Sequence, residues 1–233
     1  MRVLAIGAHP DDIEINCAGT LLKCLKRGDE VTACHMSDGD MGHVVIMPEE
    51  LGRIRRAEAM RAGELAGYKT VWGGCHDLDI YEGKYARDLL VKIIREARPD
   101  FIITHAPDDY MPDHTAVSKL ACDASFSASC PHYRPELGEA TPVCPIYFMT
   151  NLDGHNFIPM HYVDITEEMD TKRQMLRCHE SQLVWLRDHD GVDVVEKLDA
   201  TARFFGIQCG VQYAEVFCEF IASGRRIPAR LLP

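Results

Sequence analysis

The sequence predicts a single α/β domain covering residues 1–233, with a mostly parallel sheet flanked by helices. Short apolar runs alternate with longer segments of helical periodicity, which indicates strands joined by crossover helices. The length of 233 residues suits one ordinary domain with a sizeable core. Hydrophobic residues make up 46% and charged residues 26% of the chain, a composition typical of globular proteins.

Five apolar runs are predicted to be strands: Val3–Ala8, Val31–His35, Thr70–Trp72, Phe101–Thr104 and Ile146–Thr150. Each of the first four precedes a longer periodic or polar segment, as expected for parallel strands. Two irregular segments, 131–145 and 151–160, flank the fifth. Because long loops inside a compact domain often carry function, we expect both to contribute to it.

Three segments have the periodicity of amphipathic helices: about Asp12 to Arg27, about Glu49 to Ala66 and about Ile165 to Leu186. In the second, Arg55 and Glu58 fall among the apolar positions, so both charges should point inward. They predict either a buried ion pair three residues apart or, for Arg55, a role in a binding site.

The third helical segment places Lys172 and His179 on the same face as its apolar residues. The favoured interpretation is structural. The lysine would extend its ammonium to solvent, and the histidine would be a core residue with satisfied hydrogen bonds.

Charge and composition exclude several classes of protein. A net charge of −11 disfavours nucleic acid as a partner. The first apolar run is too short for a secretion signal, and no run approaches the length of a membrane span. The ten cysteines include no Cys-x-x-Cys pair, so we expect free thiols and a cytoplasmic protein. Assembly into a homo-oligomer is left open.

Two clusters of histidine and aspartate lie where predicted parallel strands end. His9-Pro10-Asp11-Asp12 follows the first strand, and the segment 108–114, which ends in Asp113-His114, follows the fourth. Open α/β sheets bind ligands at the carboxyl ends of their strands. We therefore expect the two clusters to meet in space.

Together the clusters offer the imidazoles of His9 and His114 and the carboxylate of Asp12 as metal ligands. Three such ligands leave one position open for water, as in catalytic zinc sites. Asp11 is then the candidate general base, and the chemistry predicted is amide hydrolysis. The alternative is that His9 and Asp12 cap a helix while His114 is an ordinary loop histidine.

The acidic turn from Ser37 to Gly42 has glycines but does not continue a Gly-x-Gly-x-x-Gly motif after the first strand. It predicts a tight turn near the site rather than a phosphate-binding loop.

Seven short motifs give the chain a resemblance to the LmbE-like, or PIG-L, family of zinc-dependent N-deacetylases. They are Ala8-His9-Pro10-Asp11-Asp12, Gly19-Thr20, Ser37-Asp38-Gly39 with Gly42, Arg55-Arg56-Ala57-Glu58, Pro112-Asp113-His114, Lys172 with His179-Glu180-Ser181-Gln182, and Tyr213-Ala214-Glu215. The first and fifth are specific, and the resemblance spans nearly the whole sequence.

The resemblance implies a Rossmann-like fold with zinc on His9, Asp12 and His114, although another divalent ion such as Fe²⁺ is compatible with the same ligands. It also implies Asp11 as the general base, Arg55 near the substrate, and Asp113 in contact with a metal-ligating residue but not with the metal itself. The substrate implied is a small N-acetylated molecule, typically an N-acetylglucosamine conjugate.

One residue departs from the family pattern, which usually reads His-Pro-Asp-His, because this chain has Met111 at the first position. The family histidine is assigned to stabilising the oxyanion or protonating the leaving amine. A thioether cannot donate a proton. Either Asp11 returns its proton to the amine, or another group such as His155 or Tyr110 takes that role.

Three other functions fit parts of the sequence. An amidase could act on an N-acyl compound that is not a sugar. A non-catalytic relative could bind metal or sugar, although retention of Asp11 argues against it. Two histidines and a carboxylate also suit a non-haem iron oxygenase, but the many short strands of a barrel are missing.

Overall fold

A computed structural model describes residues 1–151, 153–154, 156–227 and 230–233. In this part of the chain the strands are β1 (Arg2–Gly7), β2 (Glu30–Ser37), β3 (Lys69–Cys75), β4 (Phe101–His105), β5 (Ile146–Met149), β6 (His161–Asp164) and β7 (Ala214–Glu219). The helices are α1 (Asp12–Asn16), α2 (Ala18–Lys26), α3 (Pro48–Ala66), α4 (Lys84–Ala97), α5 (Pro112–Ala128), α6 (Met169–Arg177), α7 (Glu180–Trp185) and α8 (Val194–Cys209).

The strands form one sheet in the order β3-β2-β1-β4-β5-β7-β6. Neighbouring strands from β3 to β5 are parallel, whereas β7 runs antiparallel to both β5 and β6. The predicted fold, a mostly parallel sheet flanked by helices, is confirmed. Because β1 to β4 are parallel, the loops that follow them emerge at the same edge of the sheet.

Both faces of the sheet are buried. Along β1, Val3 and Ala5 pack into one apolar cluster with α1, α2, α6 and α8, while Leu4 and Ile6 pack into another with α4 and α5. A strand covered on both faces has no polar side, which is why β1 reads as a continuous apolar run. No helix of the described residues is long and apolar enough to cross a membrane.

The predicted helix from Asp12 to Arg27 is interrupted, and this part of the prediction is wrong. Cys17 has φ −145° and ψ 4°, which separates α1 from α2. The buried carboxylate of Glu215 accepts hydrogen bonds from the backbone amides of Gly19 and Thr20, at 2.8 and 2.7 Å. These amides belong to the first turn of α2, so a residue almost two hundred positions away caps the second helix.

The predicted helix from Ile165 to Leu186 is also wrong as a single element. It begins only at Met169 and is broken at His179, whose ψ of 54° is not helical. Just beyond the break, the Ser181 amide donates to a Glu58 carboxylate oxygen at 2.8 Å. A carboxylate of α3 thus serves as the partner of the first turn of α7.

Three inward-facing charges bind partners on other elements. Arg55 and Glu58 are both buried, as predicted, but each contacts other residues, so the first of the two alternatives for them, an ion pair with each other, is not formed. Lys172 does not reach solvent: its side chain is 2% exposed and forms an ion pair with Glu215. In a buried environment the ammonium needs that carboxylate as a counter-charge.

The irregular segment 131–145 is held away from the sheet edge that carries the histidine clusters. The guanidinium of Arg95 on α4 donates to the carbonyls of Cys130, Tyr133 and Arg134 at 2.7–3.0 Å. Burial of a cation among carbonyl acceptors fixes this loop, so its role here is structural.

Candidate active site

Strand β1 ends at Gly7, and the chain turns into α1 through His9 and Asp11. The backbone amide of His9 donates to Oδ2 of Asp12 at 2.7 Å, which fixes that carboxylate. Asp11 lies just before α1, which begins at Asp12 as predicted, and its φ is 108°. A positive φ at a residue other than glycine is strained, and such strain tends to occur at functional sites.

The two predicted clusters do meet. One ligand atom from each of His9, Asp12 and His114 lies within 4.8 Å of the others, and all three residues are buried. Nε2 of His114 is 3.2 Å from Oδ1 of Asp12, and Nδ1 of His9 is 3.5 Å from Oδ2. Helix α5 starts at Pro112, so His114 projects from its first turn toward the end of β1.

These atoms fit a divalent cation. Although Oδ1 of Asp12 lies 3.2 Å away, the buried Nε2 of His114 forms no hydrogen bond of suitable geometry within the described part of the chain. Burial lowers the pKa of His114, but the carboxylates of Asp12 and Asp109 outweigh burial and raise it to about 9. Two imidazoles and a carboxylate are ligands that suit a divalent metal, and the excess of carboxylates around them favours a cation at this position.

Each histidine of the cluster is oriented by a carboxylate on its other side. Nε2 of His9 lies 3.3 Å from Asp113 and 3.1 Å from Asp77. Nδ1 of His114 lies 3.0 Å from Asp109. Carboxylates in this position fix the ring and its tautomer. The geometry supports the role expected for Asp113. The sequence did not predict that Asp77 and Asp109 would orient the imidazoles in the same way.

One further residue of this site was not predicted from the sequence. His105, the last residue of β4, stacks on His114 with ring centroids 4.0 Å apart, and its Nε2 lies 3.1 Å from Asp12. Burial, reinforced by the charge of His114, lowers the pKa of His105 to about 4. The position of His105 at the carboxyl end of β4 could have identified it from the sequence. The position of Asp77 just after β3 could have done the same.

Asp11 and Arg55 form the second part of the site. Nη2 of Arg55 lies 3.3 Å from Oδ2 of Asp11 and also donates to the Pro10 carbonyl at 2.6 Å. Nη1 donates to the Gly39 carbonyl at 3.0 Å. Burial raises the pKa of Asp11 to about 6, against the opposing effect of the Arg55 cation. Arg55 therefore joins the predicted base to the turn after β2.

The turn from Ser37 to Gly42 lies beside the site, as predicted. Gly39 has φ 65°, and the space that a Cβ would occupy is filled by the guanidinium of Arg55. Only glycine combines that conformation with such a close approach.

The proposed ligands His9, Asp12 and His114 border one cavity of about 330 Å³, together with Asp11, Arg55 and Asp77. Its lining residues are His9, Asp11, Asp12, Ile15, Asn16, Met41, Gly42, Arg55, Asp77, Leu78, Tyr110, Met111, His114, Asn151, Gln182 and Leu186. Met111 thus stands in the cavity wall, at the edge where the family histidine was expected. Tyr110 lines the same cavity, and His155 lies outside the described residues.

The segment 131–145 contributes none of these lining residues, so the expectation that it shapes the site is wrong for the described part of the chain. The segment 151–160 contributes Asn151.

A family model described as GlcNAc-PI de-N-acetylase, PIG-L, matches residues 4–125, which is more than half of the chain. The chain belongs to the PIG-L family. This assignment confirms the resemblance found in the sequence motifs, and the matched range includes His9, Asp11, Asp12, Arg55 and His114.

A sequence relative and a solved structure are similar to this chain over most of its length. The chain is 30% identical over 228 residues to a diacetylchitobiose deacetylase of Thermococcus kodakarensis, covering 92% of this chain and 81% of that protein. The solved N,N'-diacetylchitobiose deacetylase of Pyrococcus horikoshii, in complex with an inhibitor, is 28% identical with a TM-score of 0.82, covering 94% and 83% of the two chains.

A 4-carboxy-2-hydroxymuconate hydratase of Pseudomonas putida has a TM-score of 0.80 at 21% identity, covering 99% of this chain and 100% of that one. At that identity the likeness shows the fold alone. The family assignment and the deacetylase relatives support an N-deacetylase, a hydrolase. The α/β sheet contradicts the barrel that the oxygenase alternative would need.

Proposed function

We propose that this PIG-L family member is a zinc-dependent de-N-acetylase acting on a small N-acetylglucosamine-type sugar or conjugate. The observation that carries the proposal is the convergence of His9, Asp12 and His114 beside Asp11 in one cavity. The two deacetylase relatives, both named for an N-acetylated sugar, support the substrate class. The composition argument for a cytoplasmic location remains a prediction.

The metal would be held by one nitrogen from each of the two histidines and by the Asp12 carboxylate. When bound there, a divalent ion such as zinc lowers the pKa of a water molecule and polarises the amide carbonyl. The carboxylates of Asp77, Asp109 and Asp113 hold the two imidazoles in the orientation that ligation requires.

Asp11 supplies the proton transfers. Oδ2 of Asp11 faces Arg55, which leaves Oδ1 to accept a proton from the attacking water. As the water oxygen bonds to the acyl carbon and the C–N bond breaks, the same proton passes to the amine nitrogen. The products are a free amine and acetic acid, which keeps the second proton of the water and ionises in solvent. Met111 has no proton to give, so we assign both transfers to this one carboxyl group, with Tyr110 in the cavity wall as the alternative donor to the amine.

The decisive experiment is Asp11→Asn, with turnover of N-acetylated sugars and metal content measured on the same samples. Asparagine keeps the size of the side chain but cannot accept the proton, so turnover should fall by about 10² to 10⁴-fold. Metal content should stay near one ion per chain, because Asp12 is the ligand. Asp79→Asn is the matched control, since Asp79 is exposed and does not line the cavity.

Two outcomes would contradict these roles. Turnover close to wild type in Asp11→Asn would remove Asp11 from the mechanism. Loss of both turnover and metal would mean that Asp11 and Asp12 have exchanged roles. For the ligands, full metal occupancy in a variant combining His9→Ala with His114→Ala would exclude the proposed centre.

A further inference from the structure

Three large apolar side chains at the mouth of the cavity remain exposed to solvent. Met41, Leu78 and Tyr110 are 51, 62 and 64% exposed, and each lines the cavity. They follow β2, β3 and β4 respectively, and we refer to them as the apolar rim. A ligand that covers such side chains gains free energy in proportion to the apolar area that both partners remove from water.

The backbone at this rim is fixed by carboxylates next to the metal centre. The Leu78 amide donates to Oδ2 of Asp113 at 2.8 Å, and the Met41 amide donates to Oδ2 of Asp77 at 3.2 Å. Leu78 also has φ 61°, an unfavourable value for leucine. The residues that orient His9 therefore hold two rim residues in place, so this surface is organised before a ligand arrives.

The polar side of the cavity offers little to an anionic group. Among the described residues that line it, Arg55 is the single lysine or arginine. Its guanidinium already contacts Asp11 and the carbonyls of Pro10 and Gly39. Apart from the proposed metal and its ligands, a phosphodiester in this cavity would have no uncommitted lysine or arginine to pair with, and burying it without such a partner would be unfavourable.

From these observations we infer that the substrate is a neutral N-acetyl compound whose amine-bearing part carries an apolar alkyl or aryl group, which rests on the apolar rim. This substrate class presupposes the deacetylase proposed above. It distinguishes the chain from an enzyme that recognises a free sugar or a phosphorylated conjugate.

The test compares four compounds that share one N-acetylglucosamine unit: the methyl, hexyl and phenyl glycosides and the 1-phosphate. For the zinc-loaded wild-type protein, the hexyl and phenyl glycosides should have kcat/KM values at least about tenfold above the methyl glycoside, as expected when a few methylene groups leave water. The 1-phosphate should have the lowest value. Equal values for all three neutral glycosides would overturn the inference.

Variants of the apolar rim test whether its residues cause the preference for the hexyl glycoside. In Leu78→Ser and in Met41→Ser, the ratio of kcat/KM for the hexyl and methyl glycosides should fall toward one. Ile207→Ser is the matched control, because Ile207 is 66% exposed on α8 and does not line the cavity. An undiminished ratio in both rim variants would refute the assignment of the rim, and two variants guard against misfolding of one.

Direct binding separates this inference from the proposed activity. If none of the glycosides is hydrolysed, the deacetylase proposal fails for this substrate type. Calorimetric titration of the metal-free wild-type protein then decides the inference alone. Tighter binding of the hexyl than of the methyl glycoside, lost in Leu78→Ser, would support it. Equal binding would refute it.

Discussion

Replacement of Arg55 by alanine tests whether the inward-facing arginine of α3 belongs to the site. The guanidinium satisfies the carbonyls of Pro10 and Gly39 and lies against Asp11, and its side chain is 3% exposed. Removing one member of a buried, hydrogen-bonded charge group destabilises a protein by about 3–5 kcal/mol. For a domain of this size, each kcal/mol lowers Tm by roughly 2–4 °C. We therefore expect Arg55→Ala to lower Tm by roughly 6–20 °C.

The neighbouring Arg56 provides the control. Its side chain is 47% exposed, where it lies 3.3 Å from Asp38 and over the ring of Trp72. Exposed ion pairs contribute at most about 1 kcal/mol, so Arg56→Ala should have little effect on Tm. Arg55→Lys should fall between the two, because one ammonium cannot reach three acceptors held by a guanidinium.

Activity separates a role in the site from a role in stability. Loss of Arg55 frees the Asp11 carboxylate to move, and displacement of a catalytic group by about 1 Å can lower the rate by about 10²-fold. Turnover should be measured well below the Tm of each variant, with a fluorescent assay for the released amine. Equal and small effects of Arg55→Ala and Arg56→Ala on both turnover and Tm would refute the reasoning.

Three further predictions concern positions outside the ligand cluster. Glu58→Ala should raise KM and destabilise the fold by about 1–3 kcal/mol, because Ser181 N and Oγ donate to this carboxylate at 2.8 and 2.6 Å. Replacement of the exposed Glu180 by alanine is the control in both assays. Lys172→Met should destabilise by about 3–5 kcal/mol and more than the double variant Lys172→Met, Glu215→Gln, since the single change leaves a buried carboxylate without its counter-charge. Denaturant unfolding measures both, and a double variant at least as destabilised as the single one would contradict the importance of the charge pair. All ten cysteines are free thiols, so reductant should leave Tm unchanged, and a drop of several degrees would contradict this.

Local patterns were sufficient to predict much of the sheet and the proposed ligands. The runs in β1 and β4 are apolar because both faces of those strands are covered, and the polar residues directly after them must then lie at one edge. That rule alone brings His9 and Asp12 toward His114. The inward position of Arg55 followed from helical periodicity in the same way.

What the sequence could not predict depends on contacts between distant residues. The breaks at Cys17 and His179 occur where carboxylates from remote elements, Glu215 and Glu58, bind the amides of the next helical turn. Periodicity continues across such breaks because the apolar face is kept. The orientation of His105 against His114 likewise requires the register of β4 beside β1, which no local pattern contains.

The bond between Glu58 and Ser181 has a consequence for protein engineering. Helix α7 and the turn after it bring Gln182 and Leu186 to the cavity from outside the range 4–125 that contains the proposed ligands and base. Two hydrogen bonds, from the amide and the hydroxyl of Ser181 to Glu58, attach that segment to α3, and both residues would be kept. A combinatorial library confined to residues 182–190 should then alter selectivity among substrates. The proposed metal ligands and general base, which lie in the first half of the chain, would be unchanged.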